Sequence, residues 1–185
     1  GGLSHPQTLS VCEDRAGALW VGTGHGLNRY REGVRETYID LEPRSMDVVS
    51  ALHADAEGAV WIGTDRGLWR YRGGQFFAFE VEQGGPPVVG QIVEDDLGYL
   101  WMTQGEVLSR YARAQLNAVA DGRAERLAGE HFSRSGGMRA SLVGDARRAW
   151  KTRDGLVVFA ADQGLLLVDP ANPVRSRSAP PVRIE

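Results

Sequence analysis

The sequence has one cysteine, Cys12, in 185 residues, so no disulfide can form within it. That residue is expected to be a small buried apolar side chain in a strand rather than a reactive thiol. There is no run of 18 apolar residues, which excludes a helical membrane span in this stretch. Nor is there a basic excess. With 21 Lys and Arg against 24 Asp and Glu, the net charge is −3, and nothing supplies the positive field that would hold a phosphate backbone. Nucleic acid is therefore not an expected partner. No signal-peptide pattern is visible. The histidines His5, His25, His53 and His131 are scattered without metal-ligand spacing, so no metal is expected. Gly22-x-Gly24-x-Gly26 follows a strand, but its spacing is wrong for a dinucleotide loop and another strand follows it. Phosphate loops and nucleophile elbows are missing too. No cofactor and no catalytic residue are expected, and the chain is read as a non-enzyme. It opens Gly-Gly without Met, which suggests an excerpt of a longer protein.

What the sequence does have is glycine, 24 residues of it, recurring at fixed offsets. Gly-Ala-Leu-Trp-Val-Gly-Thr-Gly-His-Gly-Leu at residues 17–27 returns as Gly-Ala-Val-Trp-Ile-Gly-Thr-Asp-Arg-Gly-Leu at 58–68. A worn copy occupies residues 98–108, and a fourth, at 155–165, keeps the frame but has Val158 in place of Trp. Spacings of about 40 residues carrying a strand–turn–strand motif are the mark of a propeller or another repeat array. In the first copy, residues 8–13, 19–23, 27–31 and 34–39 read as strands. Asp14 and Gly17 take the first and fourth positions of a type I turn, and short connections throughout predict an antiparallel meander. The second and third copies open alike. Residues 112–131 then insert about half a repeat, in which 113–120 reads as a helix stopped by Asp121-Gly122. No fourth strand is evident after Val168.

The expected fold is therefore all-β: a β-propeller of about four blades of four-stranded antiparallel meanders, an arc of a larger propeller, with one short helical insertion. The blades fall at residues 8–39, 49–80, 89–140 and 149–169, within a repeat region 1–170. Residues 171–185 read as a Pro-rich linker and the start of a following domain. The open ends of such an arc invite self-association.

Apolar residues on both strand faces imply sheets stacked face to face. Gly22 and Gly63 leave room for a neighbouring sheet, and the Trp series fills the space between blades. The alternative for these aromatics is a sugar-stacking platform. Trp69 is the one to watch, because Asn28, Ser109 and Leu166 hold its slot in the other copies. The first-to-second and third-to-fourth turns are uniform, whereas the second-to-third turns differ from copy to copy. Binding loops diversify on a rigid scaffold, so the expected ligand-face candidates are His25, Asp65, Arg66, Trp69, Glu106 and Gln163.

The Asp-x-x-Gly-x-Val-Trp-Ile-Gly-Thr-x-x-Gly-Leu-x-Arg-Tyr unit of residues 55–71 resembles the two-component regulator propeller repeat. Residues 137–138 (a Gly-Met loop), 154–155, 168–170 and 180–185 look like the last blades of such a sensor and the entry to its following immunoglobulin-like domain. Two departures stand out: Val158-Phe159 where a Trp-Phe pair is expected, and Ser141-Leu-Val-Gly144 where the family often has an acidic residue and Asn. The resemblance implies a periplasmic, extracytoplasmic sensor module of a membrane-bound kinase or diguanylate cyclase receptor. Its ligand would be a glycan or another small molecule, and it would reach the membrane only through parts outside this stretch. A protein-interaction scaffold is the alternative, and a polysaccharide lyase or hydrolase a minor one.

Overall fold

The computed structural model describes residues 2–41, 46–79, 88–133, 142, 149–161, 164–173 and 177–178. The described strands form four sheets of four, each antiparallel and each running in chain order across the sheet. Sheet 1 holds β1 (Thr8–Glu13), β2 (Leu19–Thr23), β3 (Leu27–Arg31) and β4 (Val34–Tyr38). Sheet 2 holds β5 (Val49–Ala54), β6 (Val60–Thr64), β7 (Gly67–Arg72) and β8 (Gln75–Ala78). Sheet 3 holds β9 (Ile92–Glu94), β10 (Tyr99–Gln104), β11 (Val107–Ala112) and β12 (Gly129–Phe132), and sheet 4 holds β13 (Ala149–Lys151), β14 (Val157–Ala161), β15 (Gly164–Val168) and β16 (Arg177–Ser178). These are β-propeller blades, as the repeat predicts. The chain divides into two compact units, Gly1–Gln83 with Pro87–Ile92 and Gly84–Pro86 with Val93–Glu185.

The insertion at residues 112–131 falls within sheet 3, and one expectation, the lack of a fourth strand after Val168, needs correction. The helix α1 (Arg113–Ala120) sits inside sheet 3, between its third and fourth strands, and β12 then returns to pair with β11, Ser109 opposite His131. The fourth blade does have a fourth strand. β16 lies within the stretch read as linker and pairs with β15, Leu166 opposite Ser178. An exposed strand edge offers unpaired N–H and C=O groups, and an extended dipeptide suffices to take them up. The helix itself ends where expected, with Asp121 at its C-cap and Gly122 at φ +71. The Gly-Met loop and residues 180–185 lie outside the described residues.

The turn between first and second strands explains why Asp and Trp recur together. Oδ1 of Asp55 accepts backbone N–H groups from Glu57 and Ala59, both at 2.9 Å, and Oδ2 accepts the Trp61 indole N–H at 2.9 Å. Asp14 holds Ala16, Ala18 and Trp20 in the same way, and Asp95 holds Leu97, Tyr99 and Trp101. The carboxylate thus closes the turn and anchors the side chain that fills the core. In the fourth copy Thr152 replaces the Asp and Val158 replaces the Trp. The Thr152 hydroxyl accepts the Leu156 N–H at 3.0 Å, and there is no indole for a second oxygen to serve. The missing Trp reappears across the ladder. Trp150 on β13 pairs with Val158, where the other sheets pair Cys12 with Trp20 and His53 with Trp61.

Directly paired residues share a sheet face, so each sheet has a Trp face and an opposite face. In the first unit the Trp face of sheet 1, with Trp20 and Leu27, packs against Val60, Ile62 and Trp69 of sheet 2. The Arg29 guanidinium lies 5.3 Å from the Trp20 ring and 5.6 Å from that of Tyr71. In the second unit Val93, Trp101 and Leu108 of sheet 3 pack against Val157, Phe159, Leu166 and Val168 of sheet 4. Trp20 and Trp101 lie fully buried in these two cores, as the inter-blade reading predicts, and Trp61 is fully buried as well.

Cys12 belongs to the partly buried rim of the first core. Burial pushes its thiol up to about 12, and the neighbouring Asp14 charge adds to this. The expected consequence is that a disulfide reagent at pH 8 labels Cys12 in the folded chain at least about tenfold more slowly than in the urea-unfolded chain, because only the thiolate attacks. Equal rates would contradict this placement.

Candidate functional site

The second-to-third turns are built on one plan. Thr23 N–H and Thr23 Oγ1 both donate to the Gly26 carbonyl, at 3.1 and 2.8 Å, and the Thr23 hydroxyl accepts the His25 N–H at 3.1 Å. In sheet 2, Thr64 Oγ1 donates to the Gly67 carbonyl at 2.9 Å and accepts the Arg66 N–H at 3.1 Å. Gly26 and Gly67 have φ +94 and +124, values only glycine adopts without strain. Each turn is thus locked by its own Thr and Gly, and the two residues between them are left to vary.

The chain crossing from one sheet to the next runs beside these turns. Gly24 N–H donates to the Gln7 carbonyl, Gly26 N–H to the Asp47 carbonyl, and Asp65 N–H to the Val48 carbonyl. Val48 N–H returns a bond to Asp65 Oδ1 at 3.2 Å. The crossing carries Asp47 into the gap between the two turns. Arg66 Nη2 lies 2.9 Å from Asp47 Oδ2, and His25 Nδ1 lies 4.0 Å from Asp47 Oδ1. The side chains of His25 and Arg66 are about half exposed and that of Asp47 about a third. The structure therefore brings His25, Asp65 and Arg66 together, around a residue the sequence reading missed. Asp47 carries no periodic signal, because the same position of the first copy is Pro6.

Trp69 is fully buried in the core of the first unit, edge-on to Phe76 at 6.5 Å, and its indole N–H has no hydrogen-bond partner among the described residues. It lines no surface. Glu106 is exposed on the corresponding turn of sheet 3, in the second unit. Gln163 lies outside the described residues. In the slot of Trp69, sheet 3 has a polar relay. Ser109 donates to Gln104 Oε1 at 2.6 Å, and His131 Nδ1 lies 2.9 Å from the Ser109 oxygen. Since that hydroxyl has one hydrogen, the Ser109 oxygen accepts from His131 Nδ1–H.

Electrostatics at the opposite end of sheet 1 are structural. Burial opposes the Asp14 charge. The Trp20 indole, the backbone N–H groups of Ala18 and Ala16, and the Arg29 charge outweigh it and hold the carboxyl below its usual 3.8. No group of three or more His, Cys, Asp or Glu with metal-binding geometry occurs among the described residues. No described helix is long and apolar enough to cross a membrane.

Comparison with known proteins agrees with this architecture. The family model described as two component regulator propeller matches residues 2–25. No curated protein matches the chain. Among solved structures, the chain is similar to the extracellular domain of BT3049 from B. thetaiotaomicron, named as a hybrid two component system. The identity is 20% and the TM-score 0.72, over 96% of this chain and 25% of that one. The extracellular domain of BT4673 from B. thetaiotaomicron, named likewise, is 18% identical with a TM-score of 0.71, over 100% of this chain and 23% of that one. Virginiamycin B lyase from Staphylococcus aureus is 13% identical with a TM-score of 0.69, over 96% of this chain and 58% of that one. The chain spans about a quarter of the length of the first two, and at these identities the likeness is one of fold. Residues 2–25 thus carry the two component regulator propeller repeat, and the chain built on that repeat and its sister copies forms β-propeller blades.

Proposed function

We propose that this chain is a ligand-sensing, non-enzymatic propeller segment of an extracytoplasmic receptor module, with its recognition face at the second-to-third turns. The observation that carries the reading is the convergence of His25 and Arg66, the variable residues of two successive turns, on the Asp47 carboxylate. Each sits on a turn that its Thr and Gly close through their own hydrogen bonds, and both side chains are about half exposed. The fold likeness to extracellular domains named as two component systems supports the setting. Carboxylates at Asp47 and Asp65 accept hydrogen bonds and Arg66 donates them, a donor and acceptor set that suits a hydroxyl-rich molecule such as a sugar.

The test is thermal unfolding of the chain against a panel of mono- and oligosaccharides, repeated with Arg66→Ala and His25→Ala. A sugar that binds the native state raises the unfolding midpoint by mass action. Each substitution should weaken its affinity about tenfold, the loss of one or two polar contacts. A sugar that stabilises the variants as strongly as the parent chain would remove this face as the site.

A further inference from the structure

We propose that His5 is a proton-sensitive latch on the sheet 1 half of the recognition face, closed while its imidazole is neutral and open once it is charged. Its role in recognition rests on the reading of that face given above. In both sheets of the first unit, the second-to-third turn is tied to the segment that leads into the sheet's first strand. In sheet 2 the tie is reciprocal. Asp65 N–H donates to the Val48 carbonyl at 3.2 Å, and Val48 N–H donates back to Asp65 Oδ1 at 3.2 Å. Sheet 1 repeats the first half, with Gly24 N–H donating to the Gln7 carbonyl at 2.9 Å. It cannot repeat the second, because Gly24 stands where sheet 2 has Asp65 and offers no carboxylate. The Gln7 N–H donates instead to His5 Nδ1 at 3.2 Å. A Cβ built on Gly24 would lie 2.9 Å from that same nitrogen and 3.0 Å from Gln7 Oε1. The His5 ring thus takes up the space beside the turn that a side chain at residue 24 would enter.

The exchange of acceptors changes how the tie responds to protons. A carboxyl group keeps an acceptor oxygen in either protonation state, whereas an imidazole nitrogen accepts only while it carries no hydrogen. As an acceptor, Nδ1 of His5 is bare, so the neutral ring is the Nε2–H tautomer. A second proton makes Nδ1 a donor that faces the Gln7 donor, and the bond is lost. Imidazole is the side chain that ordinarily changes charge between pH 5 and 8.

The groups that face His5 are the Gln7 amide, the Gln7 side-chain oxygen and the Gly24 turn. The other titratable and charged groups of this face are His25, Asp47, Asp65 and Arg66. Asp47 is engaged by His25 and Arg66, and Asp65 by the Val48 N–H. With the latch open, the turn that carries His25 keeps one bond to its neighbouring segment, while the turn that carries Arg66 keeps two. Acid therefore loosens the sheet 1 half of the face and spares the sheet 2 half.

The experiment is amide hydrogen exchange on the whole chain at pH 8 and pH 5, with the Val48 N–H as internal reference. The protection of the Gln7 N–H relative to that of Val48 should fall about fivefold on acidification, the loss of one partly exposed hydrogen bond. His5→Asn, whose Oδ1 accepts at both pH values, should hold the ratio steady, and His5→Ala should lower it at both. His25→Ala should leave the fall in place. Nitrogen-15 NMR of the His5 ring should show Nδ1 bare at pH 8. A ratio that ignores pH, one that falls equally in His5→Asn, or a neutral ring protonated on Nδ1 overturns the proposal. The sugar panel supplies a second readout. Between pH 8 and pH 5 the parent should lose about fivefold more affinity for a bound sugar than His5→Asn does, and equal losses overturn the regulatory role. If no sugar binds at either pH, the recognition reading fails, while the exchange ratio still decides the latch.

Discussion

Asp55→Ala should cost about 4 kcal/mol of unfolding free energy, because it strips an acceptor from the buried Ala59 N–H, the part-buried Glu57 N–H and the Trp61 indole, at about 1–3 kcal/mol for each buried group left unsatisfied. Asp55 is 4% exposed and Trp61 is fully buried, so water replaces little of what is lost. Trp61→Ala should cost about 3–5 kcal/mol, the range for removing a buried aromatic. The informative variant is the double one, Asp55→Thr with Trp61→Val, which installs in sheet 2 the pair that sheet 4 carries as Thr152 and Val158. Thr keeps the turn bond and Val asks for no acceptor. The double substitution should therefore be less destabilising than the sum of its parts by about 1–3 kcal/mol, the usual size of coupling between residues sharing one network. Urea unfolding of the parent, the two singles and the double measures it. Simple additivity would mean that Asp and Trp are not one device, and that their joint absence from the fourth copy is coincidence.

Gly63→Ala should destabilise the chain by about 3 kcal/mol, at the upper end for overpacking. A methyl group built there meets the Val89 carbonyl oxygen at 2.6 Å and the Val89 side chain at 2.9 Å. Val89 N–H also donates to the Thr64 carbonyl at 2.8 Å, which holds that segment in place. Retreat would break this bond and the one from Ser50 Oγ to the Val89 carbonyl at 2.7 Å. Gly73→Ala is the matched control. Its φ is +59 but nothing lies within 4 Å of the added methyl, so only backbone strain of about 1–2 kcal/mol is expected. Similar losses at the two glycines would mean that the close approach of the next segment does not limit residue 63.

The parts of this fold that were legible in the sequence are those in which one residue type meets one local need. Asp14, Asp55 and Asp95 announce a turn, Gly63 a close approach, and the pair Asp121-Gly122 a helix end. The parts that were not legible depend on pairing at a distance. β12 and β16 lack the Trp-Gly-Thr signature, since an outer strand needs only to extend beside its neighbour. The transfer of the tryptophan from Val158's position to Trp150 is invisible until the ladder register places the two side by side. Arg29, between Trp20 and Tyr71, follows Asn28 in the chain and reads as an ordinary surface strand residue until the next blade arrives. The candidate site divides the same way. His25, Asp65 and Arg66 stood out because their turn varies while its frame does not. Asp47 belongs to a crossing that has no repeat frame to vary against.

The Thr-x-x-Gly turn has an evolutionary consequence. Because the Thr64 hydroxyl bonds the Gly67 carbonyl and the Arg66 N–H without using the Arg66 side chain, exchange of Arg66 alters what the surface can hold and removes its pair with Asp47, while leaving the turn's own Thr–Gly bonds in place. Folding and recognition are thus written in separate letters of the same short word, and a lineage can spell new specificities into an array copy by copy without renegotiating the architecture that displays them.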